Sequence, residues 1–284
     1  MIRWTMALCA LVFPSSALAA DPPKHWRVAG YDIALQPRAP DTGNFEDRLV
    51  VAKGGKTILE IAENRISLDD WRADLGGLPL PVLGTNVTGG DTPQIVIETY
   101  SGGAHCCFAL QIVDLSDPVR VRDLPFRGDY SAYFRRAADG ETWELVGAEN
   151  IFAYWHASFA GSPAPRVVYR LAGDKLVLEE SEMRRPPPSR AELLRDRANW
   201  DWSYASKDGF LPYPLLQRTY DLIYSGNLDA AQGFFDVAWN PKIPGRAEIK
   251  YALFSCQLRK SEHWPAIAAL NGVPADPPAI DCPR

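Results

Sequence analysis

Apolar and polar positions alternate along the chain from Trp26 to Glu180, and beyond that the rhythm changes. "WRVAGYDIALQP" (26–37) alternates as a half-buried strand does, with one apolar face and one wet face. "DRLVVAKGGKTILEIAEN" (47–64) predicts two strands joined by a Gly54-Gly55 turn. Gly55-Lys56-Thr57 has the tail of a phosphate-binding loop, but Val50 stands where that motif needs its first glycine and a strand follows in place of a helix. Ser67 to Asp70 predicts the start of a short helix, a capping residue followed by acids. Further strands are expected over 94–99, 107–114, 131–136, 143–149, 166–171 and 175–180.

The pattern breaks at "RRPPPSRAELLRDR" (184–197). Three consecutive prolines, Pro186 to Pro188, cannot continue a sheet and favour an extended linker. Ser189 with Glu192 makes a capping box that opens a helix. "PLLQRTYDLIYSGNLDAAQGFFDVAW" (214–239) then predicts an αα-hairpin turning at Ser225-Gly226-Asn227, with more helix over 247–260 and 263–270. The expected class is α+β in two parts. An antiparallel β-rich module (20–182), partial-propeller-like or a sandwich, leads through a proline-rich linker (183–190) to an α-helical module (191–284).

The first residues change the picture of where this chain works. Arg3 precedes an apolar stretch from Trp4 to Phe13, and Ala17 and Ala19 form an A-x-A cleavage pattern, so residues 1–19 are expected to be a signal peptide. Cys9 lies inside the apolar stretch, and Met6-Ala7-Leu8 makes a poor lipobox before it. A bilayer span needs about 20 apolar residues and no later run approaches that, so a periplasmic or secreted protein without membrane insertion is expected. The net charge of −5 does not point to nucleic acid as a partner. Arg184, Arg185, Arg190, Arg195 and Arg197 read as a solvated linker and helix face.

Signatures of common catalytic sites are missing: no G-x-S-x-G, H-E-x-x-H, G-x-G-x-x-G or C-x-x-C occurs. There are four histidines, and Asp69-Asp70 and Glu179-Glu180 read as solvated turn or strand-end groups. In "IFAYWHASF" (151–159), Phe152, Tyr154 and His156 would share one face of a strand. That face is a candidate groove for a ligand, or part of an aromatic core.

Two stretches match at an offset of 50 residues: "TGGDTPQIV" (88–96) and "ADGETWELV" (138–146). Each is a turn leading into a strand, as in repeated sheet modules. The turn resembles the loop of FG-GAP/VCBS-type propeller repeats, whose acids bind calcium. The resemblance places Asn86, Thr88, Gly90 and Gln94 at the loop positions, and Arg136, Ala138, Gly140 and Glu144 in the second copy. Calcium takes six to eight oxygen ligands, several of them carboxylates, so loops this poor in acids imply the shape without the ion, and no cofactor is expected. "YSGGAHCCF" (100–108), within Leu83 to Leu171, resembles a group of uncharacterised secreted bacterial proteins carrying the same Ser-Gly-Gly-Ala-His-Cys-Cys signature. That resemblance implies an exported β-rich module. "GNLDAAQGFFDVAWNP" (226–241) is similar to the second half of a tetratricopeptide repeat, with Gly226, Ala231, Phe235, Ala238 and Pro241 in place. It implies a helical surface for a protein partner.

Export leaves four cysteines, Cys106, Cys107, Cys256 and Cys282, an even number in an oxidising compartment. Three readings stay open. In the first, Cys106 bonds its neighbour Cys107 in a strained vicinal bridge, since adjacent Cα atoms lie about 3.8 Å apart. Ser101-Gly102-Gly103 would supply the turn, and Cys256–Cys282 would then close the C-terminal tail. Alternatively each of the adjacent pair bonds one of the distal pair, which strand alternation makes awkward. Thirdly, His105, Cys106 and Cys107 hold zinc or copper or do thiol-redox chemistry, with His25, His156 or His263 completing the ligand set. The expected role is a non-catalytic binding protein; the alternative is a metal or redox protein centred on His105, Cys106 and Cys107. Native protein under the disulfide reading should yield no alkylatable thiol and less than stoichiometric zinc or copper. Two thiols with a full equivalent of metal would favour the alternative.

Overall fold

The computed structural model describes residues 22–284 apart from 40–42, 44, 69–79, 104–107, 129–131, 174, 196–199, 208, 277–281 and 283–284. Twelve described strands form three antiparallel sheets, each a four-strand meander in chain order. The first sheet holds β1 (Lys24–Val28), β2 (Tyr31–Gln36), β3 (Asp47–Lys53) and β4 (Lys56–Glu63). The second holds β5 (Arg65–Leu68), β6 (Gln94–Tyr100), β7 (Phe108–Asp114) and β8 (Arg120–Gly128). The third holds β9 (Tyr133–Arg136), β10 (Trp143–Ala148), β11 (Arg166–Ala172) and β12 (Lys175–Leu178). Helices follow, so the class is α+β, and the sheets do not close into a barrel. The two self-similar stretches each run into the second strand of their own meander, β6 and β10.

The strand patterns reflect how many faces each sheet buries. In β2, Tyr31, Ile33 and Leu35 are buried while Asp32 and Gln36 are exposed, the signature of one covered face. In β6, Ile95, Val96 and Ile97 are all buried. Ile95, Ile97 and Val113 pack with Tyr31, Ile33, Leu35, Leu49 and Val51 of the first sheet. Val96, Leu110 and Ile112 join a larger cluster with the third sheet and the helices. The second sheet is therefore covered on both sides. Buried Asp47 helps tie the first two sheets, its carboxylate accepting from the Arg38 and Ile66 backbone N–H groups, both at 2.8 Å.

Three expectations for the sheets need correction. Residues 26–37 are not one strand but a hairpin, because Ala29 (φ +50°) and Gly30 (φ +81°) turn the chain between β1 and β2. Ser67 does not open a helix: it lies in β5 opposite Glu98, and buried Ile66 and Leu68 give the alternation of a strand; residues 69–79 lie outside the described set. Strand β8 goes unsignalled because it is an edge strand with charges and a proline in its run.

Helix α1 (Glu180–Met183) follows β12 directly, ahead of the prolines. Ser189 and Glu192 form the capping box at α2 (Arg190–Leu194), and α3 spans Ser203–Lys207. The hairpin pairs α4 (Tyr213–Tyr224) with α5 (Leu228–Ala238). At its turn Gly226 has φ +79°, and a Cβ there would sit 3.2 Å from the Leu270 carbonyl oxygen, so glycine is needed for conformation and for space. Helix α6 (Arg246–Tyr251) continues through a π-helical stretch (Ala252–Gln257), and α7 (Trp264–Leu270) closes the module. A disulfide joins Cys256 to Cys282, and Trp264 Nε1 donates to the Ala275 carbonyl at 3.0 Å, so two contacts pin the tail.

The bridged residues are 26 apart, and in the chain-entropy model removing such a cross-link costs about 3.5 kcal/mol. The double substitution Cys256→Ser, Cys282→Ser should lower urea-unfolding stability by that order and leave the β signal in circular dichroism intact.

Candidate functional site

The segment after β10 was expected to continue as strand, with Phe152, Tyr154 and His156 on one face. It is a compact turn instead. The Ala153 N–H donates to the Asn150 carbonyl at 3.0 Å, and the Trp155 N–H donates to that of Phe152 at 3.2 Å. Tyr154 (φ +65°) and His156 (φ +47°) adopt left-handed backbone, which no strand contains. The three side chains consequently part. Phe152 is fully buried and stacks on Tyr220 with ring centres 4.1 Å apart. Tyr154 is 59% exposed. The His156 ring, through Nδ1, lies 3.1 Å from the Gly209 carbonyl, and its own carbonyl accepts from the Leu211 N–H at 2.8 Å. The turn is thus docked on the segment entering α4. Beside that contact along the chain, Tyr154, Phe210 and Tyr213 are exposed aromatics.

Beneath this turn the structure assembles a polar group that sequence spacing did not suggest. Glu149 comes from the end of β10, Tyr169 from β11, Tyr224 from the end of α4, and Ser261 and His263 from the approach to α7. Ser261 Oγ donates to Glu149 Oε2 at 2.6 Å, and Tyr224 donates to Ser261 Oγ at 3.4 Å. The Tyr169 hydroxyl and His263 Nε2 lie 2.8 Å apart, and that nitrogen is 3.8 Å from Glu149 Oε2. Burial, then the Glu149 charge, pushes the Tyr169 hydroxyl far above the usual tyrosine value, and the same two causes raise Tyr224.

Serine, histidine and glutamate are the residue types of a nucleophilic triad, but the arrangement does not make one. The serine hydroxyl donates to the carboxylate and not to the imidazole, whose Nε2 faces the Tyr169 hydroxyl, so the serine–histidine hydrogen bond of a triad is not formed. Ser261 is also 4% exposed. What the group does chemically is to satisfy buried polar atoms across the junction of sheet and helices. Its members span 112 residues between Glu149 and Ser261, which is why spacing carried no signal; the local cue is Ser261 accepting from the His263 N–H at 3.1 Å ahead of a helix with proline in its first turn.

The two self-similar turns are closed by their own side chains. Asn86 Oδ1 accepts from the N–H groups of Thr88 (3.0 Å) and Gly90 (2.9 Å), while its Nδ2 donates to the Thr92 carbonyl at 2.7 Å. Gln94 Nε2 donates to Thr88 Oγ1 and to Asp114 Oδ1, both at 2.8 Å, and Arg122 meets the same Asp114 oxygen. In the second copy Asp139 accepts from the Thr142 hydroxyl at 2.6 Å and from the Thr142 and Glu141 N–H groups at 2.8 Å, which together hold its carboxyl below the usual range. Arg136 lies over the Trp143 ring at 4.2 Å, and Glu144 pairs with Arg135 at 2.7 Å. Among the described residues no three His, Cys, Asp or Glu side chains are grouped so as to hold a metal ion. His105, Cys106 and Cys107 lie outside the described residues.

The comparisons add two partial likenesses. The chain is 30% identical over 109 residues to a probable thylakoid lumen protein of Synechocystis sp., a stretch covering 35% of this chain and 31% of that protein. It is 29% identical over 111 residues to an uncharacterised protein of Sinorhizobium fredii, covering 39% of this chain and 17% of that one. The chain therefore spans less than a third of the length of either relative. No family model and no solved structure matches it.

Tyr169, Tyr220 and Tyr224 are held by burial above the ordinary value of 10.0, so the folded state keeps them protonated. Their contribution is complete below about pH 10 and is lost as pH rises beyond it. Alkaline titration should show these phenols ionising only with loss of structure, and Tyr169→Phe should flatten the alkaline fall in stability. All eleven tyrosines ionising together near the ordinary value in a folded protein would contradict this.

Proposed function

We propose that this is an exported, non-catalytic binding protein that presents the edge between its β module and its helices to a protein partner. The observation that carries the reading is the set of exposed aromatics, Tyr154, Phe210 and Tyr213, where the 150–157 turn meets the segment entering α4. Aromatic side chains are enriched in protein interfaces because each covers a large area with few rotors to freeze. The backbone under them is fixed by the His156 contacts, so little ordering cost falls on binding.

The acid–base groups nearest that edge already bond one another, which supports a binding role. Export is supported by the N-terminal pattern of charge and apolar residues and by the name of the cyanobacterial relative, a lumen protein. No helix among the described residues is long and apolar enough to cross a membrane.

The test is cross-linked capture from the exported fraction of the source cells, comparing the native chain with the triple variant Tyr154→Ser, Phe210→Ser, Tyr213→Ser. Each position is exposed, so the variant should keep its fold, each change shifting stability by about 0.5 kcal/mol or less. A specific partner should be recovered with the native chain and lost with the variant. Recovery of the same partner with both would overturn the surface assignment.

A further inference from the structure

A second concavity lies elsewhere on the helical module, where the proline linker crosses between β11 and α4. It encloses about 400 Å³, the size of pocket that takes a small metabolite. Arg166 enters from the start of β11, Arg185 from the linker and Arg218 from α4, with Asp221 one turn further along the same helix. Met183 and Leu222, both buried, form an apolar wall, and Pro186 and Pro188 form the rim.

Three guanidinium groups against one carboxylate leave a local excess of two positive charges. The Arg166 and Arg218 side chains make no hydrogen bond or close ion pair among the described residues, while Arg185 Nη1 donates to the Arg184 carbonyl at 2.8 Å and keeps its other donors for a ligand. The other arginines of this region are tied. Arg184 Nη2 donates to the Leu270 carbonyl at 3.0 Å, and Arg135 pairs with Glu144 and Glu182, each at 2.7 Å. The linker is itself fixed: the Arg185 N–H donates to the Ser225 carbonyl at 3.1 Å, and Asn227 Nδ2 donates to the Arg185 carbonyl at 3.0 Å. The charges are thus held around a preformed space.

We propose that this pocket binds a small organic dianion, its anionic head on Arg166, Arg185 and Arg218 and its apolar body against Met183 and Leu222. Guanidinium groups suit the head because they donate in a planar fork that matches phosphate or paired carboxylate oxygens. The titration behaviour agrees with the geometry. Burial first, then the charges of Arg135 and Arg185, lowers the Arg166 pKa, the condition of a cation that an anion would relieve. Burial raises the Asp221 pKa, which weakens its opposition to an incoming anion. The pocket and the aromatic edge are separate features, and either can fail without the other.

The experiment is calorimetric titration of the signal-free chain with phenyl phosphate, and with benzoate as a singly charged probe of similar shape. Phenyl phosphate should bind saturably at one site, more weakly as salt rises, and more tightly than benzoate. Arg166→Gln should weaken it about tenfold or more, the loss of one charge-assisted contact. Should Arg166→Gln fail to fold, Arg218→Gln on the exposed side of α4 carries the same expectation. Arg48→Gln, in an exposed pair with Glu60 on the first sheet, should leave binding unchanged. Absence of saturable binding, equal binding of benzoate, or equal loss in Arg48→Gln would each overturn the proposal.

Discussion

The fold depends on covering sheet faces. A four-strand meander buries nothing by itself, since both of its faces begin in water. The first sheet can leave its outer face wet, and its strands alternate accordingly. The second sheet cannot, because β6 carries Ile95 and Ile97 on one face and Val96 on the other. The third sheet, with Leu145, Val146, Val167 and Val168 all buried, belongs to the same cluster as Leu215, Leu216 and Tyr220 of α4 and Phe234 and Phe235 of α5. The helices close the stack and share one core with the third sheet and one face of the second, in place of a separate core of their own.

That shared core explains why polar groups appear at the junction. Chain ends and turns bring Glu149, Tyr169, Tyr224, Ser261 and His263 out of water together, and each needs a partner once buried. Ser261 is held by Glu149, and the His263 ring faces Tyr169. A residue set with the composition of a catalytic site thereby serves as a bond between two modules.

Charge is treated differently at the linker. The prolines pass over α4 beside the hairpin turn, where Gly226 lies close against Leu270, and arginine side chains from β11, the linker and α4 line that concavity. Arg218 and Asp221 also line a neighbouring hollow with Tyr213 and Trp200. The exposed side of α4 therefore carries both aromatic and cationic character, while its other side is core.

Local patterns determined much of this protein. The Gly54-Gly55 hairpin, the Ser189–Glu192 capping box, the helix turn at Ser225-Gly226-Asn227 and the two similar turns that lead into β6 and β10 are all readable because each is decided within a few residues by backbone freedom or capping. Tertiary structure decided what local patterns leave degenerate. Phe152, Tyr154 and His156 alternate as a strand would, yet the docking of their segment on Gly209 and Leu211 makes it a turn and sends one ring inward and another to solvent. Strand β8, charged and at an edge, exists because β7 offers it a partner. The junction network and the arginine pocket join residues scores of positions apart. Their chemistry arises from proximity that only the packing of sheets against helices creates.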